Sequence, residues 1–332
     1  MALTFNHQTN DISNATGTVT FNGTAVGADN TPPVWFGSRG VFAGGFTANA
    51  SGYVDVIDYI AIDTTGNATD FGNLLAANAD IPAGLSNTAR GVVGGGDLSG
   101  GTNTNVMQYI TVASTGNATD FGDLTVAREF IAAMSNGTRG VFAGGRAGGS
   151  GSNVMDYITI ANTGNATDFG DMLDSGAEAH TGAGGSTRGI IAGGYDYTAD
   201  DATDRIQYIT IATTGNAQDF GNLIAAEYST AGVSNDTRCV FAGGQATGYV
   251  NRIQYITTAT TGNATDFGDL TLARARFAGA ANGTRGVFGG GLKSGNTASN
   301  VLDYITIAST GNATDFGDLS ITRQSLAGLS GT

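Results

Sequence analysis

The sequence predicts an all-β fold: a six-bladed β-propeller closed by its C-terminal strand, with a short N-terminal β-hairpin arm. Two repeated phrases carry the prediction. "TGNATDFGDL", or a close variant, begins at Thr65, Thr115, Thr163, Thr214, Thr261 and Thr310. "TRGVFAGG" and its variants place arginines at Arg39, Arg90, Arg139, Arg188, Arg238 and Arg285, with spacings of 51, 49, 49, 50 and 47 residues. The third observation is apolar patterning on two faces. Val41, Phe42, Tyr59, Ile60 and Ile62 would point to both sides of a sheet, so each sheet needs a neighbour on either side. Radial stacking into a ring meets that need.

Each unit reads as four short strands. In the third they are "EFIAAM", "RGVFAGG", "NVMDYITIA" and a strand starting at Phe169. Asn-Gly pairs such as Asn136-Gly137 and Asn282-Gly283 predict tight hairpins between the first two strands. The "TGNATD" phrase predicts the turn between the last two, with Asn67 and Asp70 bonding nearby backbone. The double glycine after each second strand lets crowded backbones pass closely. The chain ends in "SLAGLSGT", a first strand with no second to follow. Leu326 to Ser330 is therefore expected to pair with Arg39–Gly45 and close the ring. Residues 1–30 lie outside the repeat. Val19, Phe21 and Val26 flank Asn22-Gly23 as a small hairpin. The division is an attachment arm over 1–30 and the propeller over 31–332.

Composition narrows the function. The net charge is −14, with 54 glycines, 3 prolines and Lys293 as the single lysine. No basic stripe exists to displace counterions, so nucleic acid is not an expected partner. Cys239 is the only cysteine, which excludes an intrachain disulfide. The N-terminus shows no secretory signal pattern, and no apolar run approaches the length of a bilayer span, so membrane insertion is not expected.

Little catalytic chemistry is visible. His7 and His180 are far apart, and Cys239 has no partner at ligand spacing, so neither a metal nor another cofactor is expected. Asp196, Asp200, Asp201 and Asp204 form an acidic run that could offer oxygens to Ca²⁺ but lacks the glycine and glutamate spacing of an EF-hand loop, which leaves calcium open there. Glu129, Glu178 and Glu227 all fall between fourth and first strands, where a glycosidase pair could sit. The expectation is nevertheless a non-enzyme. The six arginines before the second strands are expected to pair with turn aspartates, and the NAT sequons at Asn67, Asn117, Asn165, Asn263 and Asn312 read as turns.

Loops divide by face. First-to-second and third-to-fourth connections repeat almost unchanged, whereas second-to-third and fourth-to-first connections vary. Binding chemistry sits preferentially on variable loops held by a regular scaffold. The candidate contacts there are Phe46, Tyr53, Arg146, Tyr195, Asp196, Tyr197, Asp200, Asp201 and Tyr249. Tyrosines beside carboxylates suit sugars, by stacking and hydrogen bonding.

Gly95-Gly96, then Tyr109, Phe121 and Arg128, resemble the kelch motif. The resemblance covers Arg39 to Thr332. It departs where phenylalanine replaces the usual tryptophan in every copy, and where the motif arginine is clear only at Arg128, Arg274 and Arg323. The opening "MALTFNHQTNDISNATGTVTFNGTAVG" and the "YITIASTGNATDFGDLT" repeats resemble kelch-like virion structural proteins of marine bacteriophages. That resemblance implies a particle component assembled in the host cytoplasm. Residues 1–30 would attach it to other virion proteins, the variable face would hold a host-surface glycan, and copies would oligomerise within the particle. It leaves open a tail-fibre adhesin or a capsid decoration protein. A carbohydrate-active enzyme and an intracellular kelch-type interaction module are the alternatives from other classes.

Overall fold

Runs such as Arg39–Ala43 and Val56–Ala61 combine β-branched and aromatic residues with glycine at their ends, and in the computed structural model they are short antiparallel strands. The structure describes residues 4–6, 11–13, 19–21, 24–26, 37–47, 52–79, 82–98, 101–174, 177–197 and 199–331. These are all strands and connections, without a helix, and form two units, Met1–Val34 and Trp35–Thr332. Within the first, Thr4–Asn6 pairs with Asp11–Ser13 and Val19–Phe21 with Thr24–Val26. Asn22 and Gly23, expected to form the hairpin tip, lie outside the described residues.

The second unit is a series of four-stranded antiparallel sheets, consistent with a β-propeller-like fold. Sheet one combines Ala327–Gly331, Arg39–Ala43, Val56–Ala61 and Thr69–Asn73. Its first strand comes from the C-terminus, in a register running from Ala327 opposite Ala43 to Gly331 opposite Arg39. Sheet two runs from Ala83–Ser86 to Thr119–Asp123, and sheet three from Ala132–Ser135 to Thr167–Asp171. Sheet four runs from Thr181–Gly184 to Gln218–Asn222, and sheet five from Ala231–Ser234 to Thr265–Asp269. Sheet six runs from Ala278–Ala281 to Thr314–Arg323.

Apolar residues on both faces bury themselves between neighbouring sheets. Val41, Ile57 and Phe71 of sheet one pack with Val93, Ile110 and Val112 of sheet two. Phe42, Ile60 and Ile62, on the other face of sheet one, pack with Val287, Leu302 and Phe316 of sheet six. In every sheet the phenylalanine of the repeated phrase meets the third-strand tyrosine edge-on, as Phe71 meets Tyr59 at 6.0 Å.

The repeated phrase turns out to join sheets as well as strands. Gly66 and Ala68 donate backbone N–H groups to Phe316 and Asp318 of sheet six, at 2.8 Å each. Asn67 Oδ1 accepts from the Asp318 N–H at 3.1 Å. Asn117, Asn165, Asn216, Asn263 and Asn312 each do the same to the sheet before their own. The glycine after each phenylalanine is fixed by this contact: a Cβ on Gly317 (φ 145°) would lie 2.5 Å from the Gly66 carbonyl oxygen. Asn67 was expected to bond its own turn, and instead caps the neighbour's edge strand.

The six arginines also differ from expectation. Each lies 4.3 to 4.5 Å over the third-strand tyrosine of its own sheet. Each donates Nη1 to a backbone carbonyl of the next sheet, as Arg39 does to Val112 at 2.7 Å and Arg285 to Ile62 at 3.0 Å. Carbonyls at strand ends lack ladder partners, and they displace the turn aspartates as acceptors.

Arg128, Arg274 and Arg323 are fully buried. Each reaches an aspartate on the third strand of the following sheet: Asp156 at 2.7 Å, Asp303 at 2.9 Å and Asp58 at 2.9 Å. The same aspartates accept from Thr125, Thr271 and Ser320 hydroxyls. At the other joints the third-strand residue is Gln108, Gln207 or Gln254, and its Oε1 accepts from the backbone N–H of Leu75, Leu173 or Ile224. Aspartate goes with Ser or Thr and Arg, while glutamine goes with Leu or Ile and no arginine at that place. Three of the six joints thus carry a buried Asp–Arg pair, and the other three a glutamine that accepts from a backbone N–H.

Candidate functional site

At the ends of the sheets where the variable loops lie, each second strand passes through its double glycine and runs beside a residue of the preceding link. In sheet three these two residues are Arg146 and Glu129, which exchange backbone hydrogen bonds at 2.8 and 3.0 Å. Their side chains therefore emerge side by side, and Arg146 Nε and Nη2 donate to Glu129 Oε1 at 2.8 and 2.5 Å. In sheet four the corresponding pair is Glu178 and Tyr195. Glu178 Oε2 lies 3.4 Å from Arg146 Nε, which makes the guanidinium a bridge between two links.

Tyr197 completes this network. Its hydroxyl donates to Glu178 Oε1 at 2.8 Å and accepts from Arg146 Nη1 at 3.0 Å, while its ring remains 40% exposed. The rings of Tyr197 and Tyr195 meet edge-on at 5.5 Å, and those of Tyr195 and Tyr228 at 5.3 Å. Three tyrosines thus form a file along the connections of sheets four and five. Tyr195 also donates its hydroxyl to Asp200 Oδ1 at 2.5 Å. Asp201 caps the N–H of Ala202, and Asp196 accepts from the Ala199 N–H.

Behind the file sits Phe130. Arg146 lies 5.0 Å and Arg276 5.6 Å from its ring centre. Phe130 and Arg276 both hold left-handed backbone, at φ 55° and 56°, as do Ala179, Ser229 and Ser325. These residues are linked in sequence by N–H to carbonyl bonds: Ala179 to Phe130, Ser229 to Ala179, Arg276 to Ser229 and Ser325 to Arg276. Strained backbone of this kind persists where its surroundings over-determine it.

The electrostatics follow the geometry. Burial opposes the charge of Arg146, but Glu129, Tyr197 and Glu178 hold its pKa above the usual arginine value. Burial pushes Glu178 up, against Tyr197 and Arg146, with Glu129 adding repulsion. The Asp200 hydrogen bond, followed by desolvation, raises Tyr195 to about 12. Glu227 lies apart, held by Arg252 and by Gln254 Nε2 at 3.0 Å, and burial pushes it up to about 7. All three glutamates are thereby engaged with cations or hydroxyls of the protein.

Of the residues expected from sequence, the structure brings together Arg146, Tyr195, Tyr197 and Asp200. Phe46 and Tyr53 meet each other edge-on at 5.6 Å, and Tyr53 donates to Asp97 Oδ2 at 3.0 Å, away from this group. Tyr249 donates to Asn296 Oδ1 at 2.7 Å on the next lip. The sequence reading missed Phe130, Tyr228 and Arg276, because each lies in a link whose length had to be aligned across repeats before its place was apparent. Among the described residues, no group of three or more His, Cys, Asp or Glu is placed to hold a metal ion, and no helix is long and apolar enough to cross a membrane. Comparison with known proteins finds neither a family model nor a curated protein that matches this chain.

Proposed function

We propose that the sheets are the blades of one closed, six-bladed, kelch-like propeller, and that the chain is a non-enzymatic structural protein of a bacteriophage particle whose variable face holds a host-surface glycan. The file of Tyr197, Tyr195 and Tyr228, flanked by Arg146 and Glu178, carries the binding part of this reading. Aromatic edges and faces beside fixed donors and acceptors match the alternating apolar and hydroxyl-bearing surfaces of sugar rings. Closure is supported by the apolar cluster shared between sheets six and one, and by the C-terminal strand that completes sheet one. The non-enzymatic part is supported by Glu129, Glu178 and Glu227. Each is engaged by arginine, leaving no pair poised as free acid and base.

Two measurements test the reading. Purified protein is applied to an array of bacterial surface glycans, beside the Tyr195→Ala/Tyr197→Ala variant. Retention of the wild type and loss with the variant is expected; binding unaffected by the two changes would remove the site. Immunogold labelling of lysate from the source organism is expected to decorate tails or capsids. Particles without gold would remove the virion assignment.

A further inference from the structure

The first turn of sheet four lacks a part that its equivalents share. In sheets two, three, five and six, an asparagine opens the connection between first and second strands: Asn87, Asn136, Asn235 and Asn282. Its Oδ1 accepts from two backbone N–H groups, two and three residues on, at 2.7 to 3.1 Å. Sheet four has Gly185 at this place. The backbone of the turn is otherwise the same. Gly185 donates to the Arg188 carbonyl at 3.0 Å, as Asn136 does to Arg139 at 3.1 Å. The N–H groups of Thr187 and Arg188 therefore sit as their counterparts do, with no side-chain oxygen to accept them. Beside them is a cavity of about 290 Å³ lined by Gly185, Ser186, Thr187, Arg188, Asp236 and Thr258, among others. Asp236 comes from the turn of sheet five, and its Oδ1 accepts from the Ser186 N–H at 2.7 Å.

We propose that this cavity binds a carboxamide, in the form of the acetamido group of an N-acetylated sugar. The molecule fills an equivalent arrangement with its own amide elsewhere. At the joint of sheets five and six, Asn235 Oδ1 accepts from Thr237 and Arg238, while Asn235 Nδ2 donates to the Gly283 carbonyl, in the first turn of the next sheet, at 3.2 Å. Sheet four offers the same two backbone donors without the amide, and Asp236 stands in the next sheet's turn at the place of Gly283, where it brings a carboxylate. A carboxamide satisfies both sides at once, its oxygen taking Thr187 and Arg188 and its N–H facing Asp236. A carboxylate ligand would meet Asp236 as a like charge, and an alcohol has no second polar atom held at that spacing. The volume exceeds an isolated amide, and the residues lining it include Ser186 and Thr187, which carry hydroxyls. A pyranose ring carrying the acetamido group fits that description. The site lies at the turn end of the sheets, opposite Tyr197, and is independent of the binding reading given above.

The test is titration of the ¹⁵N-labelled full chain with N-acetylglucosamine, with glucose and acetamide alongside, following the amide resonances of Thr187 and Arg188. Saturable displacement of both by N-acetylglucosamine and none by glucose is expected, in the millimolar range suited to one small ring. The variant Gly185→Asn/Asp236→Gly writes into this joint the residues that meet as Asn235 and Gly283 at the next, and is expected to abolish the response. Asp236→Asn, a milder change, is expected to weaken binding about tenfold by removing the charged acceptor. No displacement, an equal one with glucose, or a response to acetamide alone would overturn the proposal. So would a response that survives unchanged in Asp236→Asn.

Discussion

Arg323 and Asp58, separated by 265 positions in the chain, form a 2.9 Å ion pair in which neither side chain is exposed. Arg323 also donates to the carbonyls of Val56 at 2.7 Å and Phe42 at 3.1 Å, and Asp58 accepts from the N–H and hydroxyl of Ser320. Burial draws the arginine down to about 10, against the pull of Asp58, so it remains charged at neutral pH. The pair binds the end of the last strand of sheet six to the third strand of sheet one. These partners offset its desolvation cost, although Arg323 Nε is buried without one.

Removing one partner should therefore be severe. Arg323→Ala leaves Asp58 buried and uncompensated, and is expected to cost about 3–5 kcal/mol in denaturant unfolding. The triple change Asp58→Gln/Ser320→Leu/Arg323→Asn writes in the joint in which Gln108 accepts from the Leu75 N–H, with the asparagine that the sequence has at position 78. It is expected to recover most of the loss. A triple variant no more stable than Arg323→Ala would show that the two joint types are not interchangeable.

Residues 325–332 supply the first strand of sheet one, so their deletion strips a partner from Arg39–Ala43 and exposes Leu326 and Leu329 positions in two apolar clusters. Since one kcal/mol moves the midpoint of a chain this large by roughly 2–4 °C, the melt is expected to fall by at least about 10 °C. Calorimetry of the truncated chain decides this, and an unchanged melt would contradict the role given to the strand.

The strands and their order were legible because glycine punctuation and apolar alternation are local signals repeated six times over. The partners of the repeated phrase were not. Asn67 reads as a turn former, and nothing in one repeat says that its oxygen belongs to Asp318 of another. The stacking of Arg39 on Tyr59 was equally hidden, since unpaired strand-end carbonyls leave no mark in sequence. The alternation of Asp with Arg and of Gln with Leu was present in the letters. Finding it requires matching each link to the third strand of the following unit rather than its own. At the candidate site, the tyrosine-rich "YDY" stood out by composition, whereas Phe130 and Arg276 are brought together by the series of hydrogen-bonded left-handed residues.

His180 gives the fold a pH limit. It is 4% exposed, neither ring nitrogen has a hydrogen-bond partner among the described residues, and burial lowers it to about 4 despite Asp196. The unfolded chain protonates near 6.5, so this group favours the fold fully above that value. The contribution is lost as pH falls from about 6.5 through about 4, and amounts to at most about 3 kcal/mol. Glu227, raised to about 7, has the opposite slope: its contribution is present below the ordinary glutamate range and lost as pH rises through 7. His180→Leu isolates the first effect. The difference in unfolding free energy between variant and wild type should grow as pH falls, and a constant difference would mean that His180 does not titrate on unfolding.

The repeated phrase itself separates into two measurable parts. Asn67→Ala removes one capping oxygen from an exposed edge and is expected to cost about 1 kcal/mol. Gly317→Ala forces a Cβ to within 2.5 Å of the Gly66 carbonyl oxygen, on a backbone at φ 145°, so either the turn of sheet one or the edge of sheet six must move. Backbone on both sides makes that movement costly, and a loss of about 2–4 kcal/mol is expected. Displacing the turn also breaks the Asn67 contact. Once Gly317→Ala is in place, Asn67→Ala should therefore cost little more, and the double variant should fall well short of the sum. Denaturant unfolding of the two single variants and the double variant measures this. Additive losses would place the strain of Gly317→Ala within sheet six, and the phrase would then act on its neighbour through the asparagine alone.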